Sequence, residues 1–230
     1  MILTRMEWNA IVLSLKVAVV VVIFMMPLAI WLGYQLARTK RLCLRLFVET
    51  IVSLPLVLPP VATGYLLLIL FRSEGPVGLF LAQFLGIKVP FHFLGVVIAA
   101  GVVSLPLAVR SVRVSMEAIE PHLEEAALTL GASKRRTFFK ITLPLAWPGI
   151  LSAAILTFIR SLGEFGATLV LAGNIEGETR TLSVALWTYL QEPSGEKAAF
   201  RLLIASILFG CICLFLSELF VRKLRNVRTN

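Results

Sequence analysis

The chain has 230 residues, 58% of them hydrophobic and 15% charged, with a formal net charge of +9, whereas an ordinary soluble domain is roughly 45–50% apolar and about 25% charged. Together with a mean hydropathy of +0.91, this composition excludes a soluble, disordered or disulfide-stapled chain and predicts an all-α membrane protein with several spans. All thirteen acidic residues are glutamates and no glycine-rich phosphate loop is present, which excludes a P-loop ATPase and an aspartyl-phosphate pump and leaves any ATP hydrolysis to a partner.

Five apolar segments are long enough, or nearly so, to cross a bilayer as helices, because a span needs about 20 residues. They cover 10–36, 46–71, 91–109, 145–171 and 202–221, all within one transmembrane domain of residues 10–221. Residues 1–9 then form an amino end outside the membrane, 116–144 a cytoplasmic loop and 222–230 a tail. The apolar run 182–190 is about half as long as a span, so we expect a re-entrant or a surface helix there.

The basic residues predict which side of the membrane each loop faces. Fourteen of the 22 lie between the first two spans, between the third and fourth, and in the tail. Because cytoplasmic loops carry the excess of lysine and arginine, the amino end is expected outside and the carboxyl end in the cytoplasm. This topology and contact with anionic lipid account for the positive charge, so no nucleic-acid partner is predicted.

The second span contains three prolines, Pro55, Pro59 and Pro60. A proline inside a helix removes a backbone hydrogen bond, and the carbonyls it frees are tolerated in a membrane only against protein or water. We therefore expect a broken helix, either as a kink that lines a translocation path or as a structural bend.

The long cytoplasmic loop contains a short amphipathic helix. Pro121 suits the first position of this helix, and Gly131 suits the position just past its end. Four apolar residues between them recur on one helical face, Leu123, Ala126, Ala127 and Leu130. A helix this short is unstable alone in water. The apolar stripe, beside Glu124 and Glu125, must therefore pack either on the protein's own cytoplasmic surface or in a groove of another protein.

Arg160 and Glu164 are charged residues inside the fourth predicted span, four apart and therefore expected on one helix face. Charged residues kept in a bilayer usually face a cavity, a partner helix or each other. The two are either a mutually neutralising structural pair or part of a translocation path or its gate. Gly163 and Gly166 flank Glu164 and permit close helix approach, either as plain packing or as a seam between two copies of the chain.

The residues that commonly hold metals are few. The three cysteines and two histidines, Cys43, Cys211, Cys213, His92 and His122, are too scattered for a metal-ligand constellation. Nothing supplies a nucleophile–base pair either, so the sequence predicts no metal site and no catalytic site and disfavours a membrane-embedded enzyme.

The cytoplasmic loop resembles the EAA signature of ABC importer permeases. It has Glu125-Ala126-Ala127, then Gly131, then Ile-x-Leu-Pro at 141–144, in the loop before the penultimate span. The resemblance implies a coupling helix that inserts into a separate ATPase subunit, where ATP and Mg would bind; no cofactor is expected in this chain. Glu125 is then expected to make polar contact with the ATPase, and Gly131 to permit a sharp turn. The residues expected to pack into the ATPase groove are Ala126, Ala127 and Leu130.

The likeness extends from about Trp8 to the tail. Three stretches resemble the molybdate, sulfate and tungstate branch of these permeases, and the molybdate permeases most of all: LPLVLPP at 54–60 with GYLL at 64–67, RSLGEFGAT at 160–168, and GNIEGETRT at 173–181. This resemblance implies the type I ABC importer (MetI-like) permease fold, with five transmembrane helices in the bacterial cytoplasmic (inner) membrane.

The same resemblance implies partners and a mechanism. Two copies would form a homodimer with two ATP-binding ABC subunits, and an extracytoplasmic molybdate-binding protein would dock on the outer loop 176–197. Closure of the ATPases on ATP would move the coupling helices together and turn the spans from inward-facing to outward-facing. Sulfate or tungstate import is the nearest rival. An ion-coupled secondary transporter would instead need buried acidic residues, for which the candidates are Glu49, Glu164 and Glu218.

Overall fold

α-Helices account for most of the chain in the computed structural model, which describes residues 3–229 and the side chains of residues 3–215. Within residues 3–229 no β-strand occurs. The helices are α1 (Arg5–Arg38), α2 (Leu42–Val57), α3 (Pro60–Phe71), α4 (Pro76–Leu85), α5 (Phe93–Glu117), α6 (Pro121–Thr129), α7 (Lys134–Thr137), α8 (Leu143–Leu162), α9 (Gly166–Ala172), α10 (Leu182–Gln191) and α11 (Glu196–Thr229), and a π-helical turn (Phe138–Thr142) joins α7 to α8. Glu218 and the predicted tail 222–230 lie outside the residues whose side chains are described.

Four helical runs among the described residues are long and apolar enough to cross a membrane. They are α1, α5, the continuous run Lys134–Leu162 and the Glu196–Phe215 part of α11. α2 and α3 pass the same test only as a pair, and this pair is bent by 114°. The described chain therefore has four candidate spans, or five if the bent pair counts as one.

The centre of the bundle is formed by α1, α5 and α8, whose small residues let the backbones approach closely. A Cβ added at Gly33 of α1 would lie 2.7 Å from a methyl carbon of Val112 of α5, and one added at Gly149 of α8 would collide with Ser115 of α5. The buried core at this contact contains Met26, Ala29, Leu36, Ala108, Val109, Val112, Met116, Ile119, Ala146, Ile150 and Ala153. The three helices thus make one tightly packed frame, against which the shorter helices lie.

The predicted second span, 46–71, is broken between α2 and α3. The chain leaves the helical conformation at Leu58, which has ψ 142°, and Pro60 is the first residue of α3. Proline suits that position because the first N–H groups of a helix have no partner within it. Pro55 lies inside α2, so Pro59 and Pro60, not Pro55, stand at the break.

The predicted fourth span, 145–171, is also divided. The helix ends at Leu162, three residues follow outside any helix, and α9 begins at Gly166. α8 is nevertheless part of a run long enough to cross a membrane, because α7 and the π-helical turn extend it back to Lys134. Hydropathy could not reveal this shift, because the residues of α9 are as apolar as those of α8.

Two further helices lie outside the long spans. α4 follows α3, in a stretch for which the sequence suggested no helix. α10 occupies the short apolar run 182–190 and packs through Leu182 and Ala185 against Ala10, Ile11 and Leu202. Its first amide, that of Leu182, donates a 2.7 Å hydrogen bond to the Ser14 hydroxyl of α1. α10 is therefore anchored on α1 and α11.

Candidate coupling surface and translocation path

α6 lies where the sequence places a short amphipathic helix. It begins at Pro121 and ends at Thr129, and Gly131 has φ +85° in the turn that follows. The amide of Gly131 donates to the carbonyl of Leu128, and the amide of Ala132 donates to the carbonyl of Ala127, both at 3.0 Å. This double hydrogen bond is the Schellman arrangement, in which glycine supplies the left-handed residue that ends a helix.

The apolar stripe of α6 is not covered by the rest of the described chain. No residue of this nine-residue helix is buried. Leu130, at its end, is 88% exposed and Leu123 is 39% exposed. Ala126 is exposed as well, and Ala127 is half-buried. The sequence left two places for this stripe, the protein's own cytoplasmic surface or a groove of another protein. In the structure the stripe does not pack on the protein's own surface.

The two neighbouring glutamates of α6 face different surroundings. Glu125 is exposed, as a residue that meets another protein must be. The carboxylate of Glu124 is turned inward and is 14% exposed. It accepts hydrogen bonds from Arg38 Nε at 3.0 Å and Arg38 Nη2 at 2.8 Å, and one from the Thr142 hydroxyl at 2.7 Å. Sequence reasoning missed this contact, since no local pattern links residues 86 positions apart.

A cavity of about 370 Å³ lies beside α6, between it and the π-helical turn. Its lining combines apolar and basic side chains: Ala127, Leu130, Gly131, Ala132, Arg136, Thr137, Lys140 and Ile141. Arg136 and Lys140 are exposed. The surface around α6 can therefore take an apolar side chain with an acidic group next to it.

Arg160 and Glu164 form an ion pair, but not on one helix face as expected. Arg160 lies in the last turn of α8, whereas Glu164 lies in the three-residue break before α9. Arg160 Nη1 is 3.0 Å from Glu164 Oε2, and the Glu164 side chain is 2% exposed against 31% for Arg160. Glu164 Oε1 also accepts a 3.0 Å hydrogen bond from the amide of Ala167. Glu164 thus caps α9 and is neutralised within its own chain, which leaves Arg160 as the accessible charge.

α3 and α9 meet at their first turns. A Cβ added at Gly166 would lie 2.9 Å from Cβ of Pro60, and one added at Gly64 would lie 2.8 Å from both Cα and the carbonyl oxygen of Ala167. Gly166 and Gly64 therefore allow two short helices to cross in contact. Gly163 makes no such contact: it is exposed, and a Cβ there would come no closer than 4.0 Å to its nearest neighbour.

A carboxylate proposed for ion coupling should lack a permanent cation. Glu49 of α2 lies 2.5 Å from Arg113 Nη1 of α5, and Glu164 is paired with Arg160. Both candidates within the described side chains are therefore neutralised by an arginine.

Comparison with known proteins identifies the family. A family model described as "Binding-protein-dependent transport system inner membrane component" matches residues 9–226. The molybdenum transport system permease protein ModB of Escherichia coli (strain K12) is 46% identical over 222 residues, which cover 96% of both chains. The sulfate transport system permease protein CysT of Salmonella typhimurium is 40% identical over 167 residues, 71% of this chain and 60% of that one.

A solved structure shows the same fold. The chain superposes on a chain of a bacterial alginate ABC transporter, crystallised in complex with an alginate pentasaccharide-bound periplasmic protein, with a TM-score of 0.75 at 17% identity. The match covers 96% of this chain and 80% of that one. The likeness therefore extends over nearly the whole chain and concerns its fold. The chain belongs to the family of binding-protein-dependent transport system inner membrane components.

Proposed function

We propose that the chain is the permease subunit of an ATP-driven importer that moves molybdate across the bacterial inner membrane by alternating access. The observation that carries this proposal is the uncovered apolar stripe of α6, in the loop that resembles the EAA signature. The likeness to a molybdenum permease over nearly the whole chain supports the choice of anion.

α6 is the surface on which a separate ATPase would dock. A nine-residue helix cannot keep its shape in water unless its apolar side is covered, and Leu130 and Ala126 are free to enter a groove. Glu125 would then make polar contact at the edge of that groove. The basic residues around the neighbouring cavity suit an acidic group of the ATPase. Two ATPase subunits, which hold the ATP and Mg, would serve a homodimer of this chain.

The anion path is proposed to run past the break between α8 and α9. Arg160 is the more exposed member of its ion pair, so it can attract an oxyanion as it enters. Glu164 keeps the net charge of the pair near zero, which favours passage over tight retention. The residues assigned to this path or its gate are Pro55, Pro59, Pro60, Arg160, Gly163, Glu164 and Gly166.

The proposed orientation places α6 in the cytoplasm and the amino end outside. The basic residues near α6 support it, because positive charge is enriched on the cytoplasmic side. On the outer side, the loop 176–197 is the proposed docking face for a molybdate-binding protein. Its start is held by Arg180 Nε, which donates to the Asn174 amide oxygen at 2.7 Å, and by Asn174 Nδ2, which donates to Thr188 at 2.9 Å.

Sulfate or tungstate is the second candidate substrate, supported by the likeness to a sulfate permease. The decisive measurement is uptake of labelled molybdate in cells with and without the permease, with excess sulfate or tungstate as competitor. We expect uptake that needs the permease and resists sulfate. Loss of uptake in the presence of sulfate, or no uptake of molybdate at all, would indicate that the substrate is sulfate or another oxyanion. An unchanged rate after removal of the ATPase would contradict the importer class itself.

A further inference from the structure

We propose that Glu124 is a positioning residue that fastens the coupling helix to the membrane spans, so that a movement of α6 reaches α1 and α8 together. The proposal rests on the function proposed above, in which an ATPase docks on α6. Nothing in the EAA resemblance assigns a role to Glu124, which precedes the signature glutamate.

α6 has few other means of attachment. Its two ends are loops, and none of its residues is buried. Both carboxylate oxygens of Glu124 are nevertheless occupied, because Arg38 donates to each of them and Thr142 donates a third hydrogen bond. Charge-assisted hydrogen bonds of this kind are about twice as strong as neutral ones. The Glu124 side chain therefore hydrogen-bonds this exposed helix to both α1 and the π-helical turn.

The partners of Glu124 belong to a corner that is already assembled. Arg38 is the last residue of α1, and Thr142 is the fully buried last residue of the π-helical turn. One turn before Arg38, the ring of Tyr34 packs edge-on against that of Phe138, with 4.8 Å between their centres. The end of α1 thus packs against the π-helical turn that leads into α8, and Glu124 joins α6 to both.

The π-helical turn explains why a contact at this point can act on the spans. A π-helical turn is uncommon and often lies at functional sites. Thr142 ends this turn and directly precedes α8, so a force on its hydroxyl acts at the start of that helix. When a docked ATPase displaces α6, the displacement passes through Glu124 to both helices of the corner, whereas a loosely held α6 would rock without moving them.

The test compares Glu124→Gln with wild type in the complete transporter, reconstituted with its ATPase and binding protein. Uptake of labelled molybdate and ATP hydrolysis are measured in the same vesicles. We expect assembly and hydrolysis to persist, while anion imported per ATP falls about tenfold, because the charge-assisted hydrogen bonds that fasten α6 are weakened. Glu120→Gln is the matched control, because Glu120 is 70% exposed at the start of the same helix; it should leave the ratio unchanged.

Exchanging the charges of Arg38 and Glu124 tests whether their ion pair itself is what couples transport to ATP hydrolysis. Arg38→Glu and Glu124→Arg should each uncouple the transporter, and the two together should restore much of the transport per ATP. Glu125→Gln should behave differently from Glu124→Gln, because it lowers affinity for the ATPase without lowering the ratio in complexes that form. An unchanged ratio in Glu124→Gln, or an equal loss of hydrolysis and uptake with no rescue, would overturn the positioning role.

A substrate-independent measurement separates this proposal from the proposed function. A nitroxide label is placed at exposed Thr129→Cys in the full-length chain in lipid, with Cys43, Cys211 and Cys213 replaced by serine. We expect the label to move faster after Glu124→Gln than in wild type. Glu120→Gln should leave the label motion as it is in wild type. Equal motion in all three chains would refute the fastening of α6 even if molybdate uptake is normal. Conversely, if the wild-type chain does not import molybdate, a faster label motion in Glu124→Gln would still support the fastening of α6.

Discussion

Gly131 shows how one residue shapes the end of α6, the proposed coupling helix. Its φ of +85° lies in the left-handed region, and the two hydrogen bonds that end α6 depend on it. No neighbouring atom lies within 4 Å of where its Cβ would be. Glycine is therefore required here by the backbone conformation, not by lack of space.

Replacement of Gly131 by alanine is expected to reduce uptake several-fold. A side chain in the left-handed region costs about 1–2 kcal/mol, so the turn after α6 would relax and the apolar stripe would be presented differently. Gly86 provides the control, because it has φ +65° and equally open surroundings at the end of α4. Gly86→Ala should carry the same strain and leave uptake unchanged. Uptake is measured in cells after the membrane content of each variant has been matched.

Equal uptake by Gly131→Ala and wild type would contradict the role of this turn in coupling. A loss in both glycine variants would indicate instead that the strain lowers stability wherever it is placed. Insertion into the membrane is expected to be normal in both, since neither glycine lies inside a candidate span.

At the level of helices, the sequence predicts where helices occur more securely than where they end. Within the described residues, each of the four long apolar runs overlaps a span that hydropathy predicts, because apolar length is its direct signal. Hydropathy stops the third span at residue 109, yet α5 continues to Glu117, because Arg113 in the extra turns is neutralised by Glu49 of α2. It also joins α8 to α9, because the break at residues 163–165 depends on the cap supplied by Glu164. Such helix ends are set by contacts between distant residues.

The crossing of α3 and α9 leads to a prediction about two glycines on either side of Glu164. Gly166→Ala must displace Pro60, and overpacking of this kind costs about 1–3 kcal/mol. We expect a lower temperature of thermal unfolding and loss of uptake. Gly163→Ala should be tolerated, because a Cβ there meets nothing closer than 4.0 Å. Both are measured by unfolding in detergent and by uptake in cells.

The pair of glycine variants distinguishes packing inside one chain from a seam between two copies. If Gly163→Ala is as damaging as Gly166→Ala, the open surface at Gly163 is either covered by a second copy of the chain or part of the proposed anion path. If neither variant has an effect, the contact between α3 and α9 is looser than the distances indicate.

At the scale of the whole molecule, α1 is fastened at both ends by charged contacts. Near its start, the fully buried Glu7 accepts hydrogen bonds from Arg201 of α11. At its end, Arg38 binds Glu124. Neither contact could be predicted from the sequence, because the partners are 194 and 86 positions apart. What the sequence does predict at this scale is the side of the membrane on which each end lies, through the distribution of basic residues.

The orientation can be tested with a native cysteine. Cys43 is exposed and lies among the basic residues between the first two predicted spans, so we expect it to face the cytoplasm. With Cys211 and Cys213 replaced by serine, a membrane-impermeant maleimide should label Cys43 in inside-out vesicles and not in intact cells. A chain with Cys43 also replaced and Glu178→Cys in the outer loop should show the reverse. The opposite pattern in the two chains would invert the topology and place α6 outside the reach of a cytoplasmic ATPase.

The π-helical turn also limits how the chain can evolve. An α-helix turns by about 100° per residue, so loss of one residue between Phe138 and Thr142 would rotate α7, and the loop that leads from α6, by about that angle around α8. Glu124 would then no longer face Arg38. The exposed side chains of this turn can be exchanged one at a time, but an insertion or deletion would change the direction of the proposed coupling helix in a single step. We therefore expect a change in the length of this turn to disturb coupling more than a change in one of its exposed side chains.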